Sequence, residues 1–157
     1  MKNRRSAPRY RSREVALQVL YAFDASRGAR STDPGPPSLE ETFEAVAENF
    51  DLPAGARDFA EDLARGVVSE QAPLDLLIES HALNWRLSRM AAVDRNILRL
   101  AVFELLHSET PTSIVLDEAI ELAHRFGSDS SPSFVNGVLD AVARATVSSQ
   151  RPQAGSA

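Results

Sequence analysis

The chain has 157 residues, of which 43% are apolar and 25% are charged, and it contains no cysteine. That length suits one domain, or two small lobes, with a hydrophobic core of its own. Without cysteine there is no disulfide framework, no thiol nucleophile and no cysteine-ligated metal site, which favours a reducing, cytoplasmic environment. No apolar run approaches the ~18 residues of a membrane-spanning helix, and none is typical of a secretory signal, so we expect neither.

The net charge of −5 is distributed unevenly along the chain. Residues 1–13 contain six of the 17 basic residues and no acidic residue, so the rest of the chain carries 11 basic and 22 acidic side chains. All but one of the basic residues are arginine, whose planar guanidinium suits phosphate groups and stacks on bases. We interpret this segment as a disordered, flexible arm that binds nucleic acid. A solubility tail, a transit peptide and a segment added for expression are the alternatives.

Hydrophobic spacing predicts about seven helices and no strand, which makes the chain all-α. The first helix is predicted to begin at Glu14 and to end near Gly28. Three prolines and two glycines within residues 27–37 predict a linker after it. The predicted organisation in chain order is the arm over 1–13, a helical domain over 14–147 with subdomains of about 14–70 and 72–147, and a flexible tail over 148–157.

Capping and proline signals mark the starts of later helices. Ser38 and Glu41 have the spacing of a capping box, and Pro53 suits the first turn of a third helix. Pro73 begins the fourth apolar segment, and Pro132 suits the first turn of the last helix. These signals place the helix starts without any tertiary information.

One predicted helix has the composition of a bundle centre. Residues 93–107 are apolar nearly all round, apart from a narrow strip that contains Arg95 and Arg99. In the last predicted helix, Gly137 interrupts an apolar pattern at a cost of ~1 kcal/mol relative to alanine. Close approach of another helix is the compensation that we favour over room for a ligand backbone.

No group of residues predicts an active site. The three histidines lie on three different predicted helices: His81, His107 and His124. None has a second histidine at zinc-ligand spacing, and there is no glycine-rich phosphate loop. Asp117, Glu118 and Glu121 are more typical of a solvated helix face than of a metal site. We therefore expect no enzymatic activity, no cofactor and no bound metal.

Three segments carry a resemblance to a known family: RSREVALQVLY in the first helix, AVDRNILRLAVFELLH in the middle and VLDEAIELAHRFGSDSSPSFVNGVLDAV near the end. They resemble the NusB family of bacterial transcription antitermination factors. The resemblance implies a fold of two small helical bundles and a non-enzymatic, RNA-binding role. It implies two binding partners, single-stranded boxA RNA from ribosomal RNA operons and NusE, a small-subunit ribosomal protein that contacts the region of helices four and five. It further implies action on the RNA polymerase elongation complex with other Nus factors.

The resemblance also implies which residues bind RNA. They are Arg4, Arg5, Arg9, Arg11, Arg13, Gln18, Tyr21 and Phe134. The last two arginines, the Q-x-x-Y pair and the aromatic residue of FVNG match the family by position, whereas the first three arginines match only in character. Aromatic side chains stack on unpaired bases, and core packing is the alternative role for Tyr21 and Phe134. Tyr10 and the pair Pro132–Ser133 depart from the family, where basic residues are common.

Two other classes of function compete with an RNA-binding adaptor. NusB-like domains also form the amino-terminal module of ribosomal RNA cytosine methyltransferases, but this sequence contains neither a cofactor-binding domain nor a cysteine. A dimerising helical protein is the third class, since some NusB-like proteins pair with themselves. Sedimentation separates a monomer from a homodimer, and an RNA titration tests whether the dimer is inactive.

Overall fold

The computed structural model describes residues 7–28, 35–83 and 85–150, which form seven α-helices and no strand. The helices are α1 (Pro8–Gly28), α2 (Leu39–Ala47), α3 (Ala54–Ser69), α4 (Gln71–His81), α5 (Ala92–His107), α6 (Thr112–Phe126) and α7 (Ser131–Gln150). A short 3-10 turn, Leu87–Arg89, connects α4 to α5. The prediction of an all-α chain with seven helices is confirmed.

The first helix begins earlier than the sequence predicts. It starts at Pro8 instead of Glu14, and a proline suits this position because the first helical N–H groups have no partner within the helix. Tyr10, which departs from the family's basic pattern, lies in the hydrophobic core, and Arg13 is also buried. The predicted disorder of the arm is therefore wrong from Pro8 onward, and residues 1–6 lie outside the described residues.

The predicted capping and proline signals agree with the observed helix starts. The Ser38 side chain accepts a hydrogen bond from the Glu41 backbone N–H, with 3.1 Å between Oγ and N. Pro53 immediately precedes α3, and Pro132 lies in the first turn of α7. Part of the predicted linker, residues 29–34, lies outside the described residues.

Two predictions about the last helix are wrong. The α7 helix continues to Gln150, beyond the predicted start of the tail, while residues 151–157 lie outside the described part of the chain. Gly137 is exposed, and a Cβ atom added there meets nothing within 4 Å, so no helix packs closely against it. Close approach occurs instead at Gly66, where an added Cβ would overlap the Phe103 ring. Gly66 thus allows α3 to lie against α5.

The α5 helix lies at the centre of the fold, as its composition predicts. It packs against α1, α3, α4, α6 and α7. Ile97, Leu98 and Val102 on this helix are buried, and each such side chain contributes about 1.5–3 kcal/mol when removed from water. Helices α1–α3 pack on one another and α4–α7 do the same, with α1 and α3 touching α5. Two small bundles therefore share α5 as their common contact.

A buried ion pair joins the start of α1 to the end of α5. The Arg13 guanidinium donates two hydrogen bonds to the Glu104 carboxylate, from Nε to Oε2 and from Nη2 to Oε1, both at 2.8 Å. Only 5% of Arg13 is exposed. A bidentate pair of this kind has a defined geometry, so it holds the two helices in one register.

A second polar centre joins α1 and α4 to the same helix. Arg95 and Asn96 donate hydrogen bonds to Asp24 Oδ2, while Arg99 binds Asp75 through two hydrogen bonds of 2.8 and 3.0 Å. The predicted polar strip of α5 therefore faces acidic partners. Burial tends to raise the pKa of the Asp24 carboxyl, but the hydrogen bonds from Arg95 and Asn96 and the arginine charges hold that pKa below its ordinary 3.8.

Candidate nucleic-acid interface

One side of α1 brings together three of the predicted RNA-binding residues. Arg11, Gln18 and Tyr21 occur at helical spacings of seven and three residues, so they share a stripe along the helix with Glu14. The Arg11 side chain is 42% exposed and the Tyr21 ring is also exposed, while Gln18 is half-buried between them. We call Arg11, Glu14, Gln18 and Tyr21 the α1 stripe.

The buried carboxylate of the α1 stripe holds an arginine from another helix. Arg125 of α6 donates from Nη1 to Glu14 Oε2 at 2.8 Å, and Arg11 Nη1 lies 3.8 Å from the same oxygen. A single buried negative charge thus positions two arginines that both reach solvent. This end of the stripe carries a net positive charge, which suits a phosphate group.

The other end of the α1 stripe borders a cavity of about 430 Å³, which we call the first cavity. Its lining consists of Leu17, Gln18, Tyr21, Ala22, Val46, Val93 and Phe126. The lining combines two aromatic rings with one amide, which supplies both a hydrogen-bond donor and an acceptor. Flat, apolar walls with few polar groups are the usual setting for an unstacked base.

Phe134, another predicted site residue, lines a second cavity of about 340 Å³. The lining of this second cavity consists of Trp85, Met90, Ala91, Asp94, Ser128, Ser130 and Phe134. The Phe134 ring meets Trp85 edge to face, with 5.9 Å between ring centroids and 64° between planes. Trp85 is 52% exposed, so its ring is accessible for stacking.

The two cavities are neighbours on the surface. Val93 lines the first cavity and Asp94 lines the second, and the Cα atoms of adjacent residues are 3.8 Å apart. Phe126, the last residue of α6, lines the first cavity, and Ser128, two positions later, lines the second. The surface therefore runs from Arg11 on α1, across the start of α5, to Phe134 on α7.

Two further arginines are adjacent in sequence to residues that line the second cavity. Arg86 directly follows Trp85, Arg89 directly precedes Met90, and both arginines are exposed. Neither side chain forms an ion pair with another residue in the described part of the chain. Both are therefore available to neutralise the phosphates of a strand whose bases enter the cavity.

Two of the predicted arginines face away from this surface. Arg13 is two residues, or about 200° around the helix, from Arg11, and it is buried against Glu104. Arg9 points to α3, where its guanidinium carbon lies 3.8 Å from the centre of the Phe59 ring. The Arg13 side chain is committed to a core ion pair, and its role in RNA binding stays a prediction. Arg4 and Arg5 lie outside the described residues.

Sequence analysis did not predict several residues of this surface. These residues are Trp85, Arg86, Arg89, Asp94 and Arg125. The pairing of the single tryptophan with two nearby arginines, outside a predicted helix, was the one available signal. The roles of Asp94 and Arg125 depend on contacts with other helices and leave no local pattern.

Two general features of the described residues bear on function. No helix among them has the length and hydrophobicity needed to cross a membrane. Within the same ranges, no three His, Cys, Asp or Glu side chains are grouped so that they could hold a metal ion.

A set of helices packed about α5, with an aromatic surface near several arginines, is typical of a helical protein that binds nucleic acid. Residues 10–144 match the model of the NusB family, and the chain belongs to that family. The predicted resemblance is confirmed.

Relatives and solved structures agree with this assignment. The transcription antitermination protein NusB of Anaeromyxobacter dehalogenans is 48% identical over 135 residues, which cover 86% of this chain and 89% of the relative. The structure of T. maritima NusB has a TM-score of 0.77 and 34% identity, covering 88% of this chain and 92% of that one. A chain in a complex of antitermination factors NusB and NusE with double-stranded RNA matches with a TM-score of 0.75 and 30% identity. The match covers 88% of this chain and 97% of that one.

Proposed function

We propose that this chain is a transcription antitermination factor that acts as a non-enzymatic RNA-binding adaptor in the cytoplasm. Together with NusE it binds boxA RNA of ribosomal RNA operon transcripts and supports processive elongation by RNA polymerase with other Nus factors. The observation that carries the proposal is the pair of adjoining cavities with exposed aromatic rings, bordered by arginines, on a member of the NusB family.

The surface suits a single strand better than a duplex. Stacking of an unpaired base on an aromatic side chain contributes about 1–3 kcal/mol, and Tyr21 and Trp85 offer exposed rings in separate cavities. Arg125 directly precedes Phe126 of the first cavity, Arg11 lies at the opposite end of the α1 stripe, and Arg86 directly follows Trp85 of the second cavity. Bases enter the cavities while phosphates meet the arginines, and the acidic remainder of the chain repels polyanions elsewhere.

The region of α4 and α5 supplies the proposed NusE surface. Leu76 on α4 is 72% exposed, and Leu83 just after α4 and Leu106 near the end of α5 are also exposed. Because large exposed apolar side chains often mark interaction sites, these leucines support docking of a protein partner. A second copy of this chain is the competing occupant, and sedimentation with and without NusE distinguishes the two assemblies.

The proposal is tested by binding of boxA-type single-stranded RNA to the full chain, with and without NusE, across a salt series. We expect NusE to tighten RNA binding. We also expect the logarithm of the binding constant to fall with the logarithm of the salt concentration, with a slope of about −0.7 for each phosphate contact. An RNA of the same length and scrambled sequence serves as the control. Affinity that is indifferent to salt, to NusE and to sequence would overturn the proposal.

Single-residue variants test whether the described surface is the one used. Arg86→Ala is expected to weaken RNA binding and to flatten the salt dependence by about 0.7, as the loss of one phosphate contact requires. Arg65→Ala is the matched control, because Arg65 is an exposed arginine on α3 that pairs with Glu61 away from both cavities. Equal effects of the two variants would argue against this surface.

A further inference from the structure

Asp94 in the second cavity has a hydrogen-bonding capacity that the described protein does not use. It lies in the first turn of α5, is only 9% exposed and contributes to the cavity lining. Its Oδ1 atom is buried and has no hydrogen-bond partner among the described residues. Because nearly all buried polar atoms in native proteins are hydrogen-bonded, this oxygen indicates a donor from outside the described part of the chain.

The surroundings of Asp94 define which donor fits. The edge-to-face pair of Trp85 and Phe134 forms one wall, and Met90 and Ala91 add apolar surface. A carboxylate oxygen accepts hydrogen bonds and does not donate them. A flat, largely apolar ring with an exocyclic amino group at its edge matches both features. The ring N–H of uracil lies between two carbonyl oxygens, which would meet the carboxylate oxygens.

The neighbouring positive charge does not satisfy this carboxylate. Arg95, the next residue, directs its guanidinium to Asp24 on α1, with Nη2 and Oδ2 2.7 Å apart. The exposed hydroxyl-bearing residues Ser128 and Ser130 lie on the α6–α7 side of the cavity and bond to each other. Asp94 lines the cavity, and its carboxylate therefore keeps a capacity to accept a hydrogen bond that these neighbours do not use.

We propose that the second cavity selects an unpaired RNA base that carries an exocyclic amino group, and that Asp94 is the specificity-determining residue. The base packs against Trp85 and Phe134 and donates an amino N–H to the Asp94 carboxylate. Cytosine, with an amino group at position 4, is accepted, and uracil, with a carbonyl oxygen there, is rejected. This inference rests on the proposed function, since it needs RNA on this surface.

Two labelled 12-residue RNAs, oligocytidine and oligouridine, provide the test, because they share length and charge and differ at the edge of the base. Binding to the full chain is followed by fluorescence anisotropy, with and without NusE. We expect the chain to prefer oligocytidine by roughly tenfold, the size of one good base-edge contact. Asp94→Asn is expected to reduce that preference to less than about twofold. Asp62→Asn, an exposed aspartate on α3, is expected to retain it.

A change in the ligand keeps the test independent of protein folding. An oligomer of the 2-pyrimidinone ribonucleoside lacks the amino group, so the unchanged protein is expected to lose its preference for this RNA relative to oligocytidine. If the chain binds oligocytidine and oligouridine equally, or prefers oligouridine, the inference about Asp94 is overturned while RNA binding stands. If the chain binds none of these RNAs in low salt, nor boxA RNA with NusE, the proposed function and the inference fail together.

Discussion

Arg11 and Arg13 lie two residues apart on α1, yet they occupy opposite environments. Arg11 is partly exposed on the α1 stripe, where its guanidinium reaches solvent. Arg13 is buried and makes two hydrogen bonds to Glu104. Because each residue turns the helix by about 100°, a step of two residues carries a side chain to the far side. The basic segment is predicted from the sequence to bind nucleic acid as a whole, but its arginines are divided between the surface and the core.

The ion pairs on the two sides of α1 also have different consequences. On the exposed side, Glu14 holds Arg125 while leaving that guanidinium in contact with solvent. On the buried side, Arg13 and Glu104 satisfy each other and are withdrawn from any ligand. The first arrangement leaves two arginines in contact with solvent, and the second joins α1 to the central helix. The predictions below test this division.

The largest effect is expected from Arg13→Ala. Removing one partner leaves the Glu104 carboxylate buried without its counter-charge, so the free energy of unfolding should fall by about 3–5 kcal/mol. Urea denaturation followed by circular dichroism measures the loss. The double variant Arg13→Met, Glu104→Leu should recover most of it, because an apolar pair of similar volume avoids the unpaired charge. A loss of under about 1 kcal/mol for the single variant would mean that the pair is not desolvated.

A comparable loss is expected in the purely apolar part of the core. Leu100 lies on α5 and is buried, so Leu100→Ala should lower the free energy of unfolding by about 2–5 kcal/mol through lost burial and a cavity. Leu76→Ala on the exposed side of α4 is the matched control and should change stability by less than about 0.5 kcal/mol. Melting curves of the two variants that coincide would contradict the central position of α5.

A smaller, pH-dependent effect is expected at the polar centre around Asp24. Its pKa is lowered in the folded protein, so its stabilising contribution is fully present above the ordinary pKa of about 4. That contribution is lost as the pH falls through the lower folded value. The melting temperature, measured from neutral pH to about pH 3, should therefore fall less steeply for Asp24→Asn than for the unchanged chain. An exposed-site variant, Asp62→Asn, should keep the original pH dependence, and identical curves for all three proteins would refute the assignment.

The smallest effect on stability is expected from Arg11→Ala. Its exposed guanidinium lies at the outer limit of an ion pair with Glu14, so stability should change by less than about 0.5 kcal/mol. RNA binding should nevertheless weaken, with the salt slope reduced by about 0.7. Anisotropy titrations at several salt concentrations measure both quantities. If Arg11→Ala destabilises the fold as strongly as Arg13→Ala, the division of α1 into a binding side and a core side is wrong.

Much of the fold could be predicted because its signals act over a few residues. The capping contact of Ser38 with Glu41 and the position of Pro132 belong to this local level, as does the apolar composition of α5. The start of α1 could not be found in this way, since arginine and serine are rare in cores. Arg13 is buried because its guanidinium pairs with Glu104, and Ser12 is buried because its hydroxyl donates to a backbone carbonyl of α3.

Some residues of the candidate site could likewise be found from local sequence, and others could not. Gln18 and Tyr21 could be placed together because their spacing is helical, and Phe134 was found through a resemblance. Trp85 and Asp94 meet Phe134 across 40 or more residues of sequence, and no periodicity reports such a contact. The sequence by itself determined seven helices, most of their ends, the central position of α5 and the NusB family. Only the tertiary structure decided which arginines reach solvent, because that depends on which acidic side chains from distant helices lie opposite them.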